Sequence, residues 1–177
     1  MSRERKTYKV FISSTYLDNA ERRKLVEDAV IRAEMQPVGM ERFTASVHPT
    51  VEECERQARE CDIYVGIIAH RYGWIPEGKA VSITEIEYDA AKSAQRPSLM
   101  FQIDKSVLID MERDFDEMPG RWAKQKKLDA FKGKVRQGPN ACRTIHRYHS
   151  GRKGVARTNP VARRTRRQET RDRWRQD

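Results

Sequence analysis

No stretch of this 177-residue chain is apolar for long enough to span a bilayer. Its first residues, Met1-Ser2-Arg3-Glu4-Arg5-Lys6, lack the apolar centre of a signal peptide. Cysteine is scarce. Cys54, Cys61 and Cys142 are spaced for neither a disulfide framework nor a zinc site, and the helical spacing of Cys54 and Cys61 puts both on one face as buried thiols. The four histidines, His48, His70, His146 and His149, form no metal pattern, so no metal is expected; His70 has no serine or carboxylate partner at a triad spacing. No glycine-rich loop follows the first apolar segment, because Ser13-Ser14-Thr15-Tyr16 matches neither a dinucleotide fingerprint nor a P-loop. These absences argue against a membrane protein, a secreted disulfide scaffold, a Walker NTPase and an ordinary dehydrogenase domain. They point to a reduced, cytoplasmic protein.

The net charge of +10 is concentrated at one end. Residues 134–177 hold fourteen Lys/Arg against Glu169, Asp172 and Asp177; of the 36 basic and 26 acidic residues in the chain, that leaves 22 and 23 for the first 133. The bulk of the chain is therefore near neutral, and any attraction to nucleic acid belongs to the tail alone. The pattern divides the sequence into a domain over 1–135 and a basic tail over 136–177.

Within the domain, Ile63-Tyr64-Val65-Gly66-Ile67-Ile68 is a continuous apolar hexapeptide bounded by polar turns, the mark of a strand buried on both faces. Tyr8–Ser14 reads as a first strand, Pro37–Glu41 as a brief second and Ser98–Ile103 as a fourth. Between them, Asp18-Asn19-Ala20-Glu21, Thr50 with Glu53, and Ser82 with Glu85 have the capping-box spacing that opens a helix. The first helix is expected to turn Leu25, Val26, Ala29, Val30 and Ala33 inward, and the second Val51, Cys54, Ala58 and Cys61. An irregular acidic stretch (Asp110, Glu112, Asp114, Asp116, Glu117) leads to a last helix over Arg121–Val135, with Trp122, Leu128, Phe131 and Val135 as its apolar positions. Alternation of strand and helix predicts an α/β domain of flavodoxin-like type, a parallel sheet of four to five strands ordered 2-1-3-4 with helices on both faces. In such sheets ligands sit at the carboxyl edge, which here carries His70, Arg71 and Tyr72, and, one element later, Glu85 and Glu87.

Five motifs in order, Val10-Phe11-Ile12-Ser13-Ser14-Thr15-Tyr16-Leu17-Asp18, Glu21-Arg22, Gly39-Met40-Glu41, Arg71-Tyr72-Gly73 and Ser82-Ile83-Thr84-Glu85-Ile86-Glu87-Tyr88, resemble the bacterial domain-of-unknown-function family 4062 over roughly residues 7–135. That family is regarded as related to TIR domains and nucleoside deoxyribosyltransferases, and its members often head large signalling NTPases with NACHT modules in defence systems. The resemblance implies a TIR-like effector or adaptor with NAD or a nucleoside as substrate, and self-association or a NACHT-type NTPase as partner. The deoxyribosyltransferase pattern, a nucleophilic Glu with Ala four and Pro ten residues on, fits Glu87, Ala91 and Pro97, which makes Glu87 the candidate catalytic carboxylate and Glu85 the second choice. Ser13, Ser14, Arg71 and Tyr72 are ligand-binding candidates on the same grounds, and Thr15, Glu41 and His70 are further ligand-binding candidates. A fixed carboxylate suits this chemistry because cleavage of an N-glycosidic bond passes through an oxocarbenium-like state. The chain departs from the TIR pattern in having Thr84-Glu85-Ile86 where TIR hydrolases place Trp-Cys.

Each of these residues also has a plain structural role open to it. Glu85 can complete the capping box with Ser82, Glu87 can favour the helix dipole, and Ser13, Ser14 and Thr15 can cap the first helix. Arg71 can tie its loop to Glu41 or Asp62, and Trp74 can anchor the loop that holds Gly73. The tail reads as disordered, and with only Tyr148 and Trp174 as aromatics it offers no stacking surface for nucleic acid. Back-translating Cys142–Arg163 one base out of frame permits a short strand, a Thr-Asp turn and an amphipathic helix, as the family's members end. The tail is accordingly expected to be a frameshift product beginning near Asn140–Arg143, which the gene's nucleotide sequence tests.

Overall fold

The computed structural model describes residues 6–39, 50–104, 107, 110, 112–138 and 141–145. Five strands, β1 (Lys9–Ser14), β2 (Gln36–Val38), β3 (Ile63–Ile68), β4 (Ser98–Ile103) and β5 (Ala141–Ile145), alternate with four helices, α1 (Ala20–Arg32), α2 (Val51–Glu60), α3 (Ile83–Ser93) and α4 (Arg121–Gln137). The strands form one sheet in the order β2-β1-β3-β4-β5, every pairing parallel. This is the flavodoxin order expected from the alternation, and β5 adds the fifth strand from residues that the charge pattern had grouped with the tail. Among the described residues, no helix is long and apolar enough to cross a membrane.

The two faces of the sheet are covered differently. Phe11, Tyr64 and Met100 point to one face and meet Ala58 of α2, Tyr88 and Ala91 of α3, and Leu128, Phe131 and Val135 of α4. Val10 and Val65 point to the other face, where Val30 of α1 joins them. The buried hexapeptide lies at the centre, paired with β1 and β4. At its middle Gly66 has no room for a side chain: a Cβ there would sit 2.4 Å from Cε of Met100 on β4.

Several local expectations are corrected. The inward stripe of α1 is Arg23, Val26 and Val30, while Leu25, Ala29 and Ala33 face solvent. Trp122 is 74% exposed at the start of α4 rather than buried with Leu128. β2 is confined to Gln36–Val38. Cys54, Ala58 and Cys61 are buried together as the spacing predicts. Met40, Glu41, the loop over 42–49 with His48, and residues 146–177 lie outside the described residues.

Candidate functional site

The carboxyl edge is assembled by aspartates that take up the main-chain N–H groups of the loop after β3. Asp18, buried between β1 and α1, accepts from the N–H of His70 (3.2 Å) and Arg71 (3.1 Å). Asp116, buried before α4, accepts from the N–H of Tyr72 (2.8 Å) and Gly73 (3.2 Å). Four successive donors of one loop are thus satisfied by two carboxylates from different loops, which gives the segment the order of a secondary-structure element without its geometry. Thr15 adds its hydroxyl to Asp18. Burial pushes the Asp18 carboxyl above its usual range, and the hydrogen bonds from Thr15, Arg71 and His70 oppose that rise.

These bonds replace the capping box expected at Asp18. The N-cap of α1 is Asn19, and no side-chain hydrogen bond caps the helix. Ser13, Ser14 and Thr15 do not cap it either: Ser14 donates to the Thr15 carbonyl (2.9 Å) and accepts from the buried Arg23 (3.0 Å). The other two N-caps form as expected, Thr50 accepting from the N–H of Glu53 and Ser82 from that of Glu85. The return half of the Ser82 box is missing, because the N–H of Ser82 bonds the Tyr72 hydroxyl at 3.2 Å. Glu85 instead accepts from the Tyr72 hydroxyl (2.7 Å) and from Lys134 of α4 (3.0 Å), which also pairs with Asp89 (2.7 Å). Burial and then Glu85 push the Tyr72 phenol up to about 12.

Glu87 is placed differently. It lies one turn inside α3, 1% exposed, and the Ser13 hydroxyl of β1 donates to one of its carboxyl oxygens. The other oxygen, Oε1, is buried and has no hydrogen-bond partner. Loss of solvation raises the carboxyl from its ordinary 4.5 to about 7; the Ser13 bond, the positive charge of Arg23 and the neighbouring Cys54 thiol oppose the rise. The same enclosure, followed by the charge of Glu87, pushes the Cys54 thiol up to about 12. Tyr64, on the central strand, is raised by burial and then by Glu87.

Of the sequence candidates, then, Ser13 and Glu87 are brought into direct contact, and Thr15 shares Asp18 with the main chain of His70 and Arg71. Arg71 itself ties to neither Asp62 nor, among the described residues, any glutamate: its guanidinium donates to the Arg113 carbonyl (3.1 Å) and lies 4.0 Å from Asp116. Asp62 is occupied by Lys6 and by the N–H of Lys9. His70 is buried near Phe115, its Nε2 without a hydrogen-bond partner, and burial followed by the charge of Lys132 lowers its basicity. Tyr72 is buried, with its hydroxyl used by Glu85 and Ser82, and Glu41 lies outside the described residues. Trp74 does not anchor its loop with its ring, which is 61% exposed; its carbonyl does so, accepting from the N–H of Ile83 at 3.1 Å.

Sequence reasoning missed Asp116, Arg23 and Cys54 as members of the site. Only Cys54 left a usable signal, the helical spacing that turned it inward. A cleft of about 530 Å³ between α3 and α4 is lined by Lys92, Ala130, Gly133, Lys134, Gln137 and Gly138, and none of Ser13, Cys54 or Glu87 borders it. Among the described residues, no group of three or more His, Cys, Asp and Glu is arranged to hold a metal ion.

A sequence model of the family described as a domain of unknown function, DUF4062, matches residues 9–158. No curated protein matches the chain by sequence. Among solved structures, the Clostridium botulinum CMP N-glycosidase BcmB is 14% identical, with 77% of this chain and 86% of that chain covered and a TM-score of 0.37.

Proposed function

The chain belongs to the DUF4062 family, and from that premise and the geometry of Glu87 we propose a TIR-like signalling or defence effector that cleaves the N-glycosidic bond of a nucleotide such as NAD, or of a nucleoside. The observation that carries the reading is the state of the Glu87 carboxyl. One oxygen is fixed by Ser13, and the other is buried with no hydrogen-bond partner of its own, the Cys54 thiol lying close to the carboxyl. A native fold seldom leaves such an acceptor unpaired, because desolvation without a partner costs about 1–3 kcal/mol. An electron-deficient sugar carbon is a group that would satisfy it.

In the reaction, the bond between the anomeric carbon and the base nitrogen breaks and its electron pair leaves with the base. The ionised Glu87 oxygen stabilises the positive carbon or bonds to it. Water then adds to that carbon, gives up a proton, and the carboxylate is free again. Ser13 holds the acting carboxyl in one orientation throughout. A carboxyl titrating at about 7 is divided between its two forms at neutral pH, so activity of this kind rises with pH through that value. Glu87 is enclosed, so the substrate reaches it only through a local opening of the fold around it.

Thermal unfolding of the full chain with NAD, ADP-ribose and a panel of nucleosides, beside Glu87→Gln, tests the binding. A ligand at a hundred times its dissociation constant adds about 2.7 kcal/mol, a midpoint shift of roughly 3–6 °C. Release of free base, absent in Glu87→Gln, then tests the chemistry. A cooperative transition that no ligand moves, with no base released, sinks the proposal.

The enclosure of Glu87 also favours a second reading, a non-enzymatic assembly module that self-associates or docks on a NACHT-type NTPase. In that case Glu87 is a buried acid that fixes α3 to β1. Self-association by sedimentation, unchanged in Glu87→Gln, would favour it.

A further inference from the structure

Three apolar side chains stand in solvent on the two loops that rise from the centre of the carboxyl edge. Tyr16 is 58% exposed and Leu17 52% exposed after β1, and Trp74 is 61% exposed after β3. The loops touch: a Cβ added at Gly73, beside Trp74, would lie 2.7 Å from Cγ2 of Thr15, beside Tyr16. Isolated surface apolar residues need no explanation, but three on two touching loops form a patch.

The backbone under Trp74 is held unusually firmly for a loop. The four residues before it donate their N–H groups to Asp18 and Asp116, and its own carbonyl accepts from the N–H of Ile83, the first residue of α3. Glu87 follows Ile83 by four residues on the same helical face, about 6 Å along the axis. The Trp74 backbone is thus tied to the turn of α3 that precedes Glu87, and its large ring stands in solvent. Such an arrangement spares a planar ligand most of the ordering loss of binding.

Resting on the glycosidic reading of Glu87, we infer that Trp74, with Tyr16 on the adjoining loop, is the platform on which the base of the nucleotide or nucleoside stacks while its sugar is directed to the carboxylate. Size favours a base over a protein. Three side chains at half exposure offer about 300 Å², whereas a specific protein interface covers about 800 Å² on each partner. Stacking on an aromatic face is open to any base, because each has a π-face, and it is stronger for the larger purine. The platform therefore sets affinity for the base, and Glu87 sets the chemistry at the sugar.

Calorimetric titration of the full chain with adenosine, cytidine and ribose 5-phosphate tests the assignment, using wild type, Trp74→Ala, Trp74→Phe and Glu87→Gln. The expected result is a loss of adenosine affinity of about 5- to 150-fold in Trp74→Ala. Trp74→Phe should recover most of it, and ribose 5-phosphate should bind Trp74→Ala as it binds wild type. Undiminished adenosine affinity in Trp74→Ala overturns the platform; if Glu87→Gln alone loses binding, the glycosidic reading survives without it. Dependence on Trp74 with no release of adenine keeps the platform and retires the cleavage step. A wild-type chain that binds none of the three probes overturns both, and weaker self-association of Trp74→Ala in that case makes the patch a protein surface.

Discussion

The hydroxyl of Ser13 donates to the carboxyl of Glu87, joining the end of strand β1 to the first turns of α3 inside the sheet–helix interface. The two residues are 74 positions apart in the sequence, and Ser13 is paired with Gly66 of the central strand β3. Burial holds the carboxyl at about 7, above its ordinary 4.5. Between those values the folded chain binds a proton that the unfolded chain has lost, so this group's contribution is whole below pH 4.5 and is lost as pH rises through 7. At about 1.4 kcal/mol per unit, the loss is on the order of 3 kcal/mol. Denaturant unfolding at pH 5 and pH 8 should show wild type weakening toward the higher pH, and Glu87→Gln, neutral and of equal size, should remove much of that slope. Parallel pH curves for the two proteins would show that the carboxyl is ionised in the fold.

Asp116 links two loops by accepting the N–H groups of Tyr72 and Gly73, with Lys124 at 3.5 Å. Asp116→Ala strands both donors and is expected to destabilise the chain by about 2–4 kcal/mol, since bonds to a charged acceptor are among the stronger ones. Hydrogen exchange should quicken first at Tyr72 and Gly73, with little change in β1 or β3. Uniform acceleration across the sheet would mean that the loop has no local stability of its own.

Much of this fold is legible in the sequence because its elements obey simple periods. The hexapeptide from Ile63 to Ile68 is apolar throughout and emerges as the central strand, and Thr50 and Ser82 cap their helices. Where the reading went astray, polar groups had decided the outcome. α1 turns Arg23 inward because its guanidinium has the Ile12 carbonyl and the Ser14 hydroxyl to bind, and this rotates Leu25 out to solvent. Asp18 looks like a helix cap, yet it serves a loop 52 residues away, and Asp116 sits in an acidic run with nothing to distinguish it from its neighbours. Acceptors that satisfy remote main-chain donors leave no period behind. Glu87 could be singled out by its place in a family pattern, whereas its contact with Ser13 required the sheet order.

The three thiols should separate by reactivity. Cys54 and Cys61 are buried, their thiols pushed up to about 12 and about 11; burial raises the Cys142 thiol on β5 as well, but that residue is only half-buried and is the accessible one. The thiolate is the reactive form, so a disulfide reagent at pH 8 should titrate one fast thiol in the folded chain and three in denaturant. Cys142→Ser should remove the fast phase. A fast phase that persists in that variant would show that the α2–α3 interface opens on the timescale of the reaction.

Gly66 and Met100 face each other across the β3–β4 pairing, and the thioether occupies the space that a Cβ at residue 66 would need. Gly66→Ala brings a new carbon within 2.4 Å of Cε and 2.6 Å of Sδ of Met100, with the Tyr64 ring at 3.2 Å. Met100 has a flexible end but is enclosed, so it yields only by disturbing Tyr64 and the helices above it; overpacking of this kind costs about 1–3 kcal/mol. Met100→Ala alone opens a cavity at a typical cost of about 2–5 kcal/mol. The double variant fills part of that cavity with the alanine methyl, so it should be more stable than the sum of the two losses predicts, by roughly 1 kcal/mol or more. Denaturant midpoints of the four proteins measure this coupling. Strict additivity would mean that Met100 does not occupy the space above Gly66.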